Sequence, residues 1–318
     1  MAILKKSMII VLIFLVVFGA VVGVFVINFS RTKYKYDLNS GEVVINQYSG
    51  GGATVVVPAT FEGAPVTHIS GEVFAPTREV RIFDTSFGYV STGNGNIKHV
   101  VVPEGVISIE DAFMGCQNLE EVDLPSTLTT LSNSFNGCIS LKHIVVPPNV
   151  TAIPYAFAGC TNLQSLTLPD GITSMDGAFS GCTSLRSITI PKKVRQLGDT
   201  TWGTFGGCSK LEIVTLPNGL KSIGRKTFLN CTSLKSIIIP DSVTSIGGGA
   251  FNGCTHLASV IIPDGVTQIG ASAFQGCTSL KQVTIPSSVT SIGEDAFAGT
   301  PWVKTSVGQT VMSKFNPK

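Results

Sequence analysis

The stretch Cys231–Gly247, with the sequence CTSLKSIIIPDSVTSIG, returns along the chain every 22 to 26 residues. A proline after the apolar triplet recurs from position 103 to 286, and a phenylalanine recurs in step with it from 113 to 297. All eight cysteines occupy one position of the repeat, at residues 116, 138, 160, 182, 208, 231, 254 and 277. Self-similarity at a fixed period of this length predicts a solenoid or another array of stacked repeats.

Each copy predicts one coil of chain. Leu234–Pro240 alternates apolar and polar side chains at its end, which is the period of a β-strand, and Pro240 ends the strand because it has no amide hydrogen to donate. The run Val243–Gly247 predicts a second short strand, and the Ala-Phe-x-Gly-Cys segment that follows predicts a reversal with a single helical turn. One coil cannot bury its own apolar side, so we expect about ten coils stacked about 4.8 Å apart, roughly 45 Å in all.

Four rows of side chains should line the core of this stack, and two of them consist of isoleucine, valine and leucine from the strand of each coil. The other two are a leucine row and a phenylalanine row, formed by Leu119, Leu141, Leu163, Leu185, Leu211, Leu234, Leu257, Leu280 and by Phe113, Phe135, Phe157, Phe179, Phe205, Phe228, Phe251, Phe274, Phe297.

The motif GCTSLKSIxIPxxVTSIGxxAF resembles the BspA-type leucine-rich repeat, also called the Treponema pallidum-type repeat. The resemblance covers about residues 50–303, and 50–58 with 63–69 are similar to the opening coil of that family. It implies a right-handed solenoid on bacterial or protist cell surfaces, with roles in adhesion and host-protein binding and no catalytic residues.

The N-terminal segment predicts a membrane anchor. Met8–Phe29 is an apolar run of 22 residues, long enough to span a bilayer as a transmembrane helix. The alternative is a cleaved signal peptide, but its apolar core is normally shorter, and Phe18-Gly19-Ala20 is a poor cleavage site. Lys5 and Lys6 precede the run and basic residues follow it, so charge alone does not orient it. The family resemblance favours an extracellular solenoid on a single-pass protein.

These patterns divide the chain into four parts. We expect an anchor at 1–30 and a juxtamembrane stalk at 31–49. The solenoid follows at 50–303, with irregular N-terminal coils over 50–96, and a C-terminal tail ends the chain at 304–318.

The cysteines predict a ladder of free thiols. Their spacing equals the coil period, so neighbouring side chains should point in parallel, which does not suit a disulfide, and free cysteine packs well as a small buried hydrophobe. We expect no metal site, because Cys-x-x-Cys is absent and His68, His99, His143 and His256 are scattered. Motif searches give no catalytic constellation, cofactor or small-molecule substrate, which argues against an enzyme.

Charge argues against nucleic-acid binding. The net charge is +2, yet from Asp37 onward 17 basic residues stand against 20 acidic ones. The basic residues are nevertheless concentrated at 186–235, around the 26-residue copy that contains Trp202. We therefore predict a partner-binding patch of Trp202, Lys192, Lys193, Arg195, Lys221, Arg225 and Lys226. The alternative is that Trp202 fills a local gap and the basic residues are ordinary solvated surface.

A second candidate surface is the outward face of the first strands, which is rich in serine, threonine and isoleucine. Such residues also simply suit a parallel sheet. Two functions follow: a membrane-anchored surface protein that binds a protein ligand, or a structural spacer without a specific ligand.

Overall fold

The coils stack in register, and most of them contribute one short strand to each of two parallel ladders. The computed structural model describes residues 10–12, 25–27, 33–71, 73–74, 77–78, 91–92, 96–198, 201 and 203–315. The predicted β-solenoid of about ten turns is confirmed.

The first ladder contains the strand that ends before the repeat proline. Neighbouring strands pair in parallel, so that His99 aligns with Thr54 on one side and with Glu121 on the other. Hydrogen bonding is not continuous along the ladder, because the strands join in groups of three, two, two and two. The segment 236–238 is not a regular strand, although Ile237 is buried like its equivalents. The strands are Thr54–Val56, His99–Val101, Glu121–Asp123, His143–Val145, Ser165–Thr167, Ser187–Thr189, Ile213–Thr215, Ser259–Ile261 and Gln282–Thr284.

The second ladder contains the predicted short strands. It continues through isolated bridges at Ala152, and it forms a five-stranded sheet in the C-terminal half. Its strands are Ala64–Ser70, Ser108–Glu110, Thr130–Ser132, Gln196–Leu197, Ser222–Ile223, Ser245–Ile246, Gln268–Ile269 and Ser291–Ile292.

The core is a column of stacked phenylalanine rings. From Phe74 to Phe297 successive centroids lie 4.9 to 5.6 Å apart, with interplanar angles of 3° to 17°. The predicted leucine row is fully buried beside it. Because every ring packs on the rings of two neighbouring coils, the apolar lining runs unbroken through the solenoid.

The segment after each phenylalanine is a hydrogen-bonded turn, where we predicted a single helical turn. In one coil the Cys138 N–H donates to the Phe135 carbonyl at 3.0 Å, and Gly137 between them has a φ of 75°. A helix cannot continue through a left-handed residue, so the chain reverses there instead.

The N-terminal side of the solenoid carries a β-hairpin. We predicted a stalk over 31–49, but Tyr34–Asn39 and Glu42–Tyr48 pair antiparallel, and the second of them pairs with Ala64–Ser70 of the second ladder. The Tyr48 ring packs 5.3 Å from Phe74, the first ring of the column. The described part of this segment is therefore joined to the solenoid.

The C-terminal end is covered by a short helical segment. A 3-10 helix, Trp302–Lys304, leads into helix α1, Ser306–Phe315. Helix α1 lies within the predicted tail at 304–318, and the 3-10 helix begins just before that tail. Trp302 is buried against Phe297, with ring centroids 4.7 Å apart. This contact closes the open end of the core, as stacked repeats require.

Most of the predicted transmembrane helix over 8–29 lies outside the described residues. The two described pieces, Ile10–Leu12 and Phe25–Ile27, are short strands paired antiparallel, and both consist of β-branched, aromatic and leucine side chains that suit a strand. In the part of the chain that the structure describes, no helix combines the length and the apolar character needed to cross a bilayer.

Candidate functional site

The outward face of the first ladder is a surface that the repeat extends from coil to coil. In each strand the middle residue points inward, and the two flanking residues are exposed in every strand except His99–Val101, where they are half-buried. The face therefore has two rows. The first row is His99, Glu121, His143, Ser165, Ser187, Ile213, Ser236, Ser259, Gln282; the second is Val101, Asp123, Val145, Thr167, Thr189, Thr215, Ile238, Ile261, Thr284.

The character of this face changes along the solenoid. Its N-terminal part carries the charged Glu121 and Asp123, and its middle carries small hydroxyl side chains. Its C-terminal part combines exposed isoleucines with polar residues such as Ser259 and Gln282. Ile213, Ile238 and Ile261 are 63%, 86% and 70% exposed. Ile238 and Ile261 occupy the same row on successive coils, and Ile213 lies diagonally across on the coil before. We name these three residues the isoleucine patch.

A groove of about 460 Å³ lies over the middle of the face. It is located where the hydrogen bonding of the ladder is interrupted, because Ser165–Thr167 and Ser187–Thr189 belong to separate two-stranded sheets. Ile213 links the groove to the isoleucine patch, and the ion pair of Lys192 with Asp170 stands at its rim. The groove offers hydroxyl groups, one ion pair and apolar strand residues to a ligand.

The predicted basic residues form two groups. Arg195 Nη1 donates to the Lys192 carbonyl at 2.8 Å, and the Lys221 N–H donates to the Arg195 carbonyl at 2.7 Å. With the exposed Lys193, these residues form a corner group between the two ladders. Only Lys192 of this group reaches the groove.

The other two basic residues lie beside the insertion of the 26-residue copy. Gly203 packs so closely on the Lys226 carbonyl that a Cβ there would clash with the oxygen, and Arg225 is exposed next to Lys226. Trp202 lies outside the described residues, although its neighbour Thr201 is exposed. The binding patch that combines Trp202 with both basic groups stays a prediction.

The cysteines are structural and contribute no reactive group to the surface. All eight are free and buried, and each thiol donates to the carbonyl of the phenylalanine one coil before, for example Cys208 Sγ to Phe179 O at 3.0 Å. Burial raises the pKa of the Cys160 and Cys208 thiols to about 12. Thiolates are the reactive and metal-binding form, so these groups are chemically inert in the folded protein.

One cluster of possible metal ligands was missed by the search for sequence motifs. His99, Glu121 and Asp123 each place a ligand atom within 4.8 Å of the others, on two adjacent strands. His99 Nε2 lies 2.9 Å from Asp123 Oδ2. The sequence indicates this cluster only through the repeat, because His99 and Glu121 occupy the same repeat position in neighbouring coils.

At least one solved structure shares this fold. The pneumococcal vaccine antigen PcpA superposes with a TM-score of 0.59 at 18% identity, covering 84% of this chain and 72% of that one. A Treponema pallidum leucine-rich repeat protein gives a TM-score of 0.42 at 24% identity, with coverage of 90% and 94%. A leucine-rich cell surface protein from Faecalibacterium prausnitzii gives 0.45 at 26% identity, with coverage of 91% and 98%.

No curated protein sequence matches the chain. The family model for the BspA type leucine rich repeat region matches residues 85–204 and 203–316 in six copies. That model describes a repeat and not a catalytic domain. The chain therefore belongs to the family of BspA-type leucine-rich repeat proteins.

Proposed function

We propose that this protein is a cell-surface binding protein whose solenoid recognises another protein through the outward face of the first ladder. The isoleucine patch carries this proposal. Large exposed apolar side chains that lie together on a soluble surface mark an interaction site, whereas single ones are ordinary. Three isoleucines at least 63% exposed on neighbouring coils form such a group.

The surroundings of the patch favour a protein as the ligand. The groove next to it is lined by residues of three neighbouring coils, and the exposed Lys235 and Asp241 stand three residues before and after Ile238. An apolar centre with a charged rim is the usual anatomy of a protein interface. The corner group adds positive charge that would speed association with an acidic partner.

We propose further that the apolar run 8–29 holds the chain at a membrane with the solenoid outside. Its 22 uncharged residues with flanking lysines support membrane association, and the outward orientation follows what the family resemblance implies. Protease shaving of intact cells tests both points. The solenoid should be degraded while the membrane fraction retains an N-terminal tag, and a solenoid that survives shaving but is degraded after lysis would contradict the orientation.

The binding face is tested by cross-linking on intact cells that express the tagged full chain. Ile238→Glu places a charge in the centre of the patch and should abolish capture of the partner. Val307→Glu is the matched control, because Val307 is 62% exposed on helix α1 and lies off the first ladder. A protein captured by the wild type and by Val307→Glu, but not by Ile238→Glu, supports the proposal. Equal capture by all three would refute the isoleucine patch as the binding site, and the absence of any specific capture by the wild type would favour a structural spacer.

The basic groups are tested by the same capture. Arg195→Glu and Trp202→Ala should weaken binding if the predicted patch contributes. Unchanged capture by both variants would confine recognition to the outward face of the first ladder.

A further inference from the structure

We infer that His99, Glu121 and Asp123 form a binding site for a divalent transition-metal ion of the zinc class. The site lies at the charged N-terminal part of the first ladder, away from the isoleucine patch. It supplies one imidazole nitrogen and two carboxylate groups, and the inference does not depend on the proposed binding function.

The ladder fixes the three side chains on one face. Glu121 and Asp123 are two residues apart in one strand, so they point to the same side, and His99 aligns with Glu121 on the adjacent strand. The strand that carries His99 is paired on both sides, with Glu121–Asp123 and with Thr54–Val56, and Glu121–Asp123 is paired on that one side. Ligands on paired strands lose little conformational freedom when a metal binds.

The distances suit a small cation. Zinc binds histidine nitrogen and carboxylate oxygen at roughly 2.0–2.2 Å, which places two tetrahedral ligands about 3.3 Å apart. The three ligand atoms already lie within 4.8 Å of one another, and His99 Nε2 and Asp123 Oδ2 are 2.9 Å apart. Shifts of about 1.5 Å or less at the tips of exposed side chains would reach the coordinating geometry. Water can fill the fourth position.

The local charge also favours a cation. Residues 104–123 contain six carboxylates and no lysine or arginine. The neighbouring Lys98 is held by Glu120, with Nζ 2.9 Å from Oε1, so its charge is already compensated. The imidazole discriminates against calcium and magnesium, which prefer all-oxygen sites.

Isothermal titration of the full chain with zinc chloride tests the site, with calcium and magnesium chloride as comparison cations. We expect one zinc ion per chain and no comparable heat from the other two. His99→Ala and Asp123→Asn should each weaken zinc binding by at least about 10–100-fold. That is the loss in metal affinity when a residue that only hydrogen-bonds to a metal ligand is removed, and these two residues are themselves ligands.

His256→Ala is the matched control, because His256 is an exposed histidine in a turn where its Nδ1 contacts the Thr232 carbonyl at 2.6 Å. It should bind zinc like the wild type. The alternative is that His99 and Asp123 form a simple ion pair. The inference would be overturned in favour of that ion pair if the wild type bound no zinc. It would also be overturned if His99→Ala and Asp123→Asn bound zinc as tightly as the wild type.

Discussion

The ladder of buried thiols should make this fold sensitive to alkali. In the unfolded chain a cysteine titrates near its ordinary pKa of 9.0, whereas burial raises the pKa of Cys116, Cys160 and Cys208 to about 12. Burial raises the pKa of the other five thiols as well. Each folded pKa lies above the unfolded value, so this contribution to stability is constant below pH 9. It falls as the pH rises toward 12, because the unfolded state then releases protons that the folded state keeps.

The size of the effect follows from the number of thiols. Each one contributes a loss on the order of 1 kcal/mol per pH unit above 9. Eight thiols together would remove on the order of 10 kcal/mol by pH 10, which is comparable to the whole stability of a typical domain. We therefore expect cooperative unfolding between pH 9 and 10 in the presence of a reductant.

Urea unfolding at a series of pH values, with thiolate absorbance recorded in parallel, measures this effect. Cys160→Ala separates the thiols from other titrating groups. It should be less stable than the wild type at pH 7, because it lacks the bond from Sγ to the Phe135 carbonyl at 3.1 Å, yet it should lose about 1 kcal/mol less between pH 9 and 10. A stability that stays flat to pH 10, or thiols that titrate near 9 in the folded protein, would refute the reasoning.

Two further substitutions test the packing of the coils. Phe228→Ala should lower the free energy of unfolding by about 3–5 kcal/mol, because the Phe228 ring stacks 5.4 and 5.2 Å from the rings on either side. A loss below about 1 kcal/mol in urea unfolding would argue against a continuous column. Gly137→Ala should lower the free energy of unfolding by about 1–2 kcal/mol, because a φ of 75° at Gly137 disfavours a side chain. Gly51→Ala is the control and should lower it by much less, because Gly51 has no left-handed φ and an added Cβ there would meet no atom within 4 Å. Equal stabilities of these two glycine variants would contradict the assigned turn.

The repeat made the interior predictable. A fixed period determines which residues align, so the phenylalanine column, the leucine row and the free thiols follow from spacing alone. The hydrogen bond from each thiol to a phenylalanine carbonyl did not follow, because it depends on the exact rise between coils. The interrupted ladder around Ser187–Thr189, and with it the groove, is also a matter of small displacements that no motif records.

The segments outside the repeat were harder to predict. Tyr34–Asn39 and Glu42–Tyr48 look like a polar linker in sequence, but they form a hairpin because the second ladder offers them an unpaired edge at Ala64–Ser70. The cluster of His99, Glu121 and Asp123 was missed for a related reason. Its ligands are neighbours across the ladder, and a search for metal motifs examines neighbours along the chain.

The most direct test of recognition by the outward face is photo-cross-linking at single positions on living cells. A photoreactive amino acid is placed at position 238 in the isoleucine patch, at position 284 further along the same face, and at position 307 on helix α1. The account predicts a discrete protein adduct from position 238, a weaker one or none from 284, and none from 307. An adduct from position 307 with none from 238 would contradict it.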